Sequence, residues 1–140
     1  MKLLTSLLRI LRGCFRKTPT VHQDEPLARF LTSKTQFSIR DNYVKLGAFL
    51  PNKNNETSVF RVADLSEQGI WDIGDKDGPR RTIYGRADFG ARCVETVKLR
   101  LVLDKTPSRH GNIVGWPADK DEQKAYARDL ANMSQLKIRP

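Results

Sequence analysis

The sequence has few of the residues that build disulfide frameworks and metal sites. Its two cysteines, Cys14 and Cys93, form no CxxC pair, and neither lies near His22 or His110 at a metal-ligand spacing. No uninterrupted apolar run approaches the roughly 18 residues that a membrane-spanning helix needs. These absences argue against a disulfide-stapled secreted fold and a transmembrane body, and we expect no metal and no cofactor.

The length and the net charge of the chain indicate one small basic domain. The chain has 140 residues, of which 39% are hydrophobic and 29% are charged, so one hydrophobic core is expected. The formal net charge is +9, and residues 1–18 hold five of the cations and no acid. More than half of the positive excess therefore lies at the start of the chain.

Residues 1–18 predict a basic amphipathic helix. At about 100° per residue, the apolar and basic side chains separate completely onto two sides. The apolar side holds Leu3, Leu4, Leu7, Leu8, Ile10, Leu11, Cys14 and Phe15, and the other side holds Lys2, Arg9, Arg12 and Arg16. A polar linker over residues 19–25 follows. We predict that this helix docks the protein to an anionic membrane surface or to a partner protein.

Two alternatives stay open for this helix: it covers the domain's own sheet, or it binds nucleic acid. Export is not expected, because Arg9 and Arg12 interrupt the apolar run of a secretory signal and no cleavage site follows. The expected location is the cytoplasm, with peripheral attachment at the inner membrane if the docking prediction holds.

Residues 26–140 predict a single α+β domain. Helices are expected at 24–33, 66–74, 86–97 and from 119 onward, and strands at 43–50, 57–62, 82–84, 99–103 and 112–116. The first two strands are expected to form a hairpin. Because helices and strands are mixed, the pattern favours one mixed sheet of four or five strands with helices on one face. The helix-free face and the exposed edge would then carry function.

Several segments of the body together resemble a group of small uncharacterised bacterial proteins. They are Ala28-Arg-Phe-Leu-Thr-Ser33, Val44-Lys-Leu-Gly-Ala-Phe-Leu-Pro51, Ser58-Val-Phe-Arg61, Ile70-Trp-Asp-Ile-Gly74, Gly85-Arg-Ala-Asp88 and Asn112-Ile-Val-Gly-Trp-Pro117. The resemblance runs from about residue 28 to 131 and omits the opening helix. It implies a bacterial or phage-related origin but brings no activity and no functional residues.

Four polar residues are candidates for a catalytic site: Arg61, Tyr84, His110 and Asn112. Their spacing matches no Walker loop, GxSxG elbow, HExxH pair or GxGxxG loop. An arginine leaving one strand and a histidine bordering another could hold an anionic ligand. A toxin-like nuclease or transferase is therefore one alternative. In the competing interpretation, Arg61 pairs with an acid and His110 caps a loop.

Nucleic-acid binding is the other alternative, since Arg80, Arg81 and Arg86 could contribute to a basic patch. No RNP run or KH-type GxxG loop is present, and the chain also carries 16 acids. The leading expectation from the sequence is thus a non-enzymatic bacterial binding or accessory protein with an N-terminal docking helix.

Overall fold

The structure is a computed structural model that describes residues 23–140. The helix predicted over residues 1–18 and most of the predicted linker lie outside the described residues. None of the described helices is long and apolar enough to cross a membrane.

The described chain is an α+β fold with eight strands and three α-helices. The strands are β1 Pro26–Leu31, β2 Phe37–Ser38, β3 Tyr43–Val44, β4 Thr57–Arg61, β5 Gly85–Gly90, β6 Arg100–Leu103, β7 His110–Val114 and β8 Gln135–Ile138. The helices are α1 Glu67–Asp77, α2 Ala91–Thr96 and α3 Lys120–Met133, and 3₁₀ turns occupy Lys34–Gln36 and Leu46–Ala48.

Six of the strands form one antiparallel sheet in the order β6-β7-β4-β1-β5-β8, and β2 and β3 form a separate pair. The prediction of a mixed sheet of four or five strands was wrong in both respects. Strand β8 follows α3 with a short Gln-Leu-Lys-Ile run, whose alternation is too brief to be separated from the end of a helix by sequence alone.

The sheet carries a hydrophobic core on each face. The larger core joins sheet residues such as Leu27, Val59 and Ile113 to Ala127 and Leu130 of α3. The smaller core packs α1 against the opposite face; its buried members are Ala28, Phe30, Phe60, Val62, Ile70, Trp71 and Ile83. Helices therefore cover parts of both faces, and the expectation of helices on one face was wrong.

Strand β1 lies where the sequence predicted a helix. Leu27 and Leu31 enter the larger core, whereas Ala28 and Phe30 enter the smaller one. The sequence of a strand buried on both faces is a nearly continuous apolar run, and periodicity cannot distinguish such a run from a short buried helix. The preceding Asp-Glu-Pro sequence is also typical of a helix N-terminus, which led to the wrong prediction.

The segment predicted as a helix over 86–97 is divided into β5 and α2. Strand β5 pairs with β1 along its whole length, from Pro26–Gly90 to Leu31–Gly85, and also pairs with β8. This pairing on both sides overrides the weak helical pattern of the segment. The predicted strand at 82–84 is irregular backbone, and the predicted strand at 43–50 is confirmed only over β3.

The predicted helices at 66–74 and after 119 are confirmed in type. Helix α1 begins after Ser66, whose side chain accepts from the Gly69 amide, and it continues to Asp77 before ending at Gly78. Gly74 is therefore inside the helix and not at its end. A Cβ at Gly74 would lie 2.8 Å from the Phe30 ring, so its absence allows α1 to approach β1 closely.

The predicted hairpin between 43–50 and 57–62 was wrong. Strand β4 pairs instead with β1 on one side and with β7 on the other. Strand β7 in turn pairs with β6, which forms one edge of the sheet. This arrangement brings β4, β7 and the turn between β6 and β7 together, and the candidate site lies there.

Candidate active site

A serine, a histidine and an aspartate form a continuous hydrogen-bonded chain on the face of the sheet that α1 partly covers. Ser58 Oγ lies 2.6 Å from His110 Nε2. His110 Nδ1 lies 2.5 Å from Asp104 Oδ2. The order hydroxyl, imidazole and carboxylate is that of a serine nucleophile, its general base and the acid that orients the base.

The strand register explains how these three residues meet. Phe60 is paired with His110, and Ser58 is paired with Asn112, so Ser58 and His110 are diagonal neighbours on one face. Asp104 follows β6 directly, and its amide donates to the His110 carbonyl across the turn that joins β6 to β7. Two antiparallel pairings therefore place side chains from three separate segments in line.

The hydrogen-bond partners also select one tautomer of the neutral imidazole. An ionised carboxylate only accepts hydrogen bonds, so Asp104 places a proton on Nδ1 of His110. The unprotonated Nε2 then accepts from the Ser58 hydroxyl. The Phe60 ring meets the imidazole edge-on with centroids 5.1 Å apart, which holds the ring in this orientation. The chain is thus arranged to take a proton from Ser58.

The serine and histidine open into a cavity of about 250 Å³, called here the Ser58 cavity. Its lining residues are Arg29, Phe30, Ser58, Phe60, Asp77, Gly78, Pro79 and His110. The end of α1 supplies one rim through Asp77 and the two residues that follow. The His110 side chain is 17% exposed and that of Asp104 is 38% exposed, so the histidine is the better shielded of the two.

Arg29 places a cation at the wall of the Ser58 cavity. Direct pairing of β1 with β4 covers only Leu27–Arg61 and Ala28–Phe60. Beyond these pairs, Arg29 Nε donates to the Ala48 carbonyl at 2.7 Å and Nη1 donates to the Ser58 carbonyl at 2.9 Å. Burial lowers the pKa of Arg29 to about 10. The half-buried guanidinium is therefore fixed to the backbone of Ser58 in the gap between β1 and β4.

The structure does not bring Arg61 and His110 together. Arg61 Nε lies 2.5 Å from Glu25 Oε2 and Nη2 lies 3.1 Å from Oε1, so Arg61 is held by an acid. In the sheet His110 is opposite Phe60, one residue before Arg61, and neighbouring strand positions point to opposite faces. A single anion held between Arg61 and His110 is therefore not supported by this geometry.

The other two predicted candidates have different positions. Asn112 is paired with Ser58 and lies on the same face as the chain of Ser58, His110 and Asp104. Tyr84 precedes β5 and packs against the larger core, with Lys34 Nζ 5.4 Å from its ring centroid. Asn112 is thus a neighbour of the site, and Tyr84 is not among the residues lining the Ser58 cavity.

The three arginines predicted for nucleic acid are divided between surface and interior. Arg80 and Arg81 are exposed in the loop after α1. Arg86 is fully buried, bonded to Glu67 and Asp88, and its guanidinium lies 4.6 Å from the centroid of the Trp71 ring. Arg86 therefore ties α1 to the sheet and cannot meet a phosphate without leaving its partners.

No group of three His, Cys, Asp or Glu side chains within residues 23–140 is placed to hold a metal ion. Comparisons of the chain with protein families, with curated proteins and with solved structures find no match. The function is therefore inferred from the geometry of the site.

Of the residues that form this site, the sequence predicted His110 but not Ser58, Asp104 or Arg29. The segment Glu56-Thr-Ser-Val-Phe60 is an ordinary strand with no nucleophile elbow, so no local pattern marks Ser58. The one available signal was the spacing of Asp104 and His110 across a short loop between two strands. A carboxylate and a histidine so placed are close enough for a hydrogen bond.

Proposed function

We propose that the protein is an acyl-transfer hydrolase in which Ser58 is the nucleophile. The observation that carries this proposal is the chain from Ser58 Oγ through both nitrogens of His110 to Asp104. Such chains occur on unrelated folds and are identified by geometry and not by sequence context. The adjoining cavity gives a substrate access to the hydroxyl.

The residues perform the reaction in two stages. In the first, Ser58 Oγ attacks the substrate carbonyl while His110 Nε2 takes the hydroxyl proton. The bond to the leaving group breaks, and His110 returns the proton to that group. In the second, water attacks the acyl-serine, His110 removes a proton from the water, and Ser58 regains it as the carboxylic acid departs. Asp104 stabilises the positive imidazolium throughout.

The geometry favours acyl transfer over the nuclease alternative. A metal-independent nuclease needs a general acid and a general base that both face the substrate. Here the carboxylate of Asp104 is bonded to the far side of His110, and the group on the near side is a hydroxyl. A transferase that passes the same acyl group to an acceptor other than water would use identical residues.

Hydrolysis of chromogenic 4-nitrophenyl esters tests the proposal. The wild-type chain should release 4-nitrophenol with saturable kinetics, and Ser58→Ala should lower kcat by several orders of magnitude. Ser108→Ala is the matched control, because Ser108 is exposed and lies outside the Ser58 cavity. Equal rates for the wild type and Ser58→Ala would contradict the proposal.

Docking through residues 1–18 is a separate proposal supported by the facial separation of leucine and arginine in that segment. Flotation with vesicles containing anionic lipid should carry the full chain upward, and a chain lacking residues 1–18 should remain below. Flotation that does not depend on these residues would contradict docking. Nucleic-acid binding through Arg80 and Arg81 remains a prediction of the sequence.

A further inference from the structure

We infer that the acyl group of the substrate carries a carboxylate that binds the guanidinium of Arg29 beside Ser58. The inference rests on the proposed function for the reaction, and it adds the chemical class of the substrate. The substrate class would be small monoesters or monoamides of dicarboxylic acids, with the free carboxylate on the acyl side of the bond that breaks.

The first support is the position of Arg29. Its Nη1 is 2.9 Å from the carbonyl oxygen of Ser58 itself, so the cation is fixed to the residue that carries the nucleophile. The second anchor is the Ala48 carbonyl, which accepts from Nε at 2.7 Å. These two bonds hold the guanidinium rigidly, and no described residue accepts from Nη2. Two of the five N–H groups of this positioned arginine are used, which leaves three for a ligand.

The second support is electrostatic. None of the ion pairs among residues 23–140 includes Arg29, and both of its acceptors are neutral carbonyl oxygens. A partly buried cation without a counter-charge is costly, and burial lowers the pKa of this arginine. A substrate carboxylate would supply the missing charge through charge-assisted hydrogen bonds.

The third support is the size and lining of the Ser58 cavity. Its volume of about 250 Å³ lies below the range of roughly 300–1,000 Å³ that is typical of drug-sized ligands, so it suits a small acyl group. Phe30 and Phe60 add apolar surface to the same cavity. A short aliphatic spacer between the two carboxyl carbons of the substrate matches this lining.

One acid, Asp77, also lines the Ser58 cavity and opposes anion binding. It is partly exposed at the end of α1, where water and salt screen its charge. Arg29 is held in place by two backbone carbonyls, which keeps its charge at the cavity wall. We therefore expect the arginine to determine the preference, and removal of the Asp77 charge should increase it.

Two esters with the same leaving group provide the test: 4-nitrophenyl acetate and mono-4-nitrophenyl succinate. For the wild type, kcat/KM should be about 10- to 100-fold higher for the anionic ester, which is the range expected for hydrogen bonds to a charged group. Arg29→Met should remove the preference, Arg29→Lys should retain part of it, and Asp77→Asn should increase it.

Inhibition of the wild type covers the case in which Arg29 variants fail to fold. Propionate should compete with the neutral ester, whereas propionamide, which has nearly the same shape without the charge, should compete at least tenfold less well. Equal inhibition by both would overturn the inference. An Arg29→Met variant that slows both esters equally would also overturn it, because it would place Arg29 at the reaction oxyanion and not at a substrate carboxylate.

Binding to Ser58→Ala separates this inference from the proposed function. If no ester is hydrolysed but propionate, measured by calorimetry, binds Ser58→Ala and not Arg29→Met, the hydrolase proposal fails and the anion site stands. If the neutral ester is hydrolysed through Ser58 without any preference for the anionic one, the hydrolase stands and the substrate class is wrong.

Discussion

Replacement of Asp104 by asparagine separates a catalytic chain from a purely structural one. Asp104 Oδ2 is 2.5 Å from His110 Nδ1, and this contact keeps the ring proton on Nδ1 and leaves Nε2 free to accept from Ser58. An asparagine that presents its amide oxygen loses the charge that stabilises imidazolium. One that presents its NH₂ moves the ring proton to Nε2, which can then no longer take the serine proton.

The expected losses in activity and stability differ greatly. In serine enzymes with this chain, the same change lowers kcat by on the order of 10⁴-fold, which corresponds to about 5 kcal/mol of transition-state stabilisation. The Asp104 side chain is 38% exposed, and its contact with His110 is partly solvated. Loss of that contact should therefore lower the free energy of unfolding by only about 1 kcal/mol.

The assay pairs ester hydrolysis with urea denaturation on the same preparations. Asp129→Asn is the matched control, because Asp129 is exposed on α3 and outside the Ser58 cavity. The control should match the wild type in both measurements. An Asp104→Asn variant that retains kcat within about tenfold of the wild type would refute the catalytic role of the chain.

Three further predictions concern the packing of α1 and are read from denaturation curves. Gly74→Ala should lower the free energy of unfolding by about 1–3 kcal/mol, because the new methyl group would lie 2.8 Å from the Phe30 ring; an unchanged midpoint would contradict this close packing. Arg86→Met should lower the free energy of unfolding by about 2 kcal/mol, since it removes a buried cation from two partly solvated carboxylates. A stabilised variant would show that this ion pair is dispensable. The side-chain hydrogen bond from Arg139 lowers the pKa of Asp75. The stability that this ion pair contributes is therefore present above the unfolded value of about 3.8 and is lost as the pH falls through the lower folded value. Asp75→Asn should therefore differ from the wild type at pH 7 and converge with it at strongly acidic pH, and a difference independent of pH would exclude this ion pair as its cause.

The parts of the fold that could be predicted are those in which local signals agree with the tertiary structure. Ser66 and Asp119 cap two helices that begin where the sequence predicted helices. The strand beginning near Leu99 was predicted correctly because its apolar residues are β-branched or leucine throughout. Within α3, Leu130 is buried, whereas Met133, the last residue of the helix, is 38% exposed.

The parts that could not be predicted depend on contacts distant in sequence. Strand β1 carries a helix-like start, and only its pairing with β5 and β4 makes it a strand. The candidate site also depends on contacts distant in sequence, since Ser58 and His110 are 52 residues apart and meet only through the register of the sheet. No spacing rule relates residues whose proximity is decided by which strands become neighbours.

Reaction with a fluorophosphonate tests the central claim most directly. Attack by an activated serine forms an oxygen–phosphorus bond and expels fluoride, which leaves a stable adduct that peptide mass mapping can locate. We predict one adduct, on the peptide containing Ser58, that is absent in Ser58→Ala and strongly reduced in His110→Ala. An unmodified wild-type protein, or an adduct whose yield does not depend on His110, would contradict it.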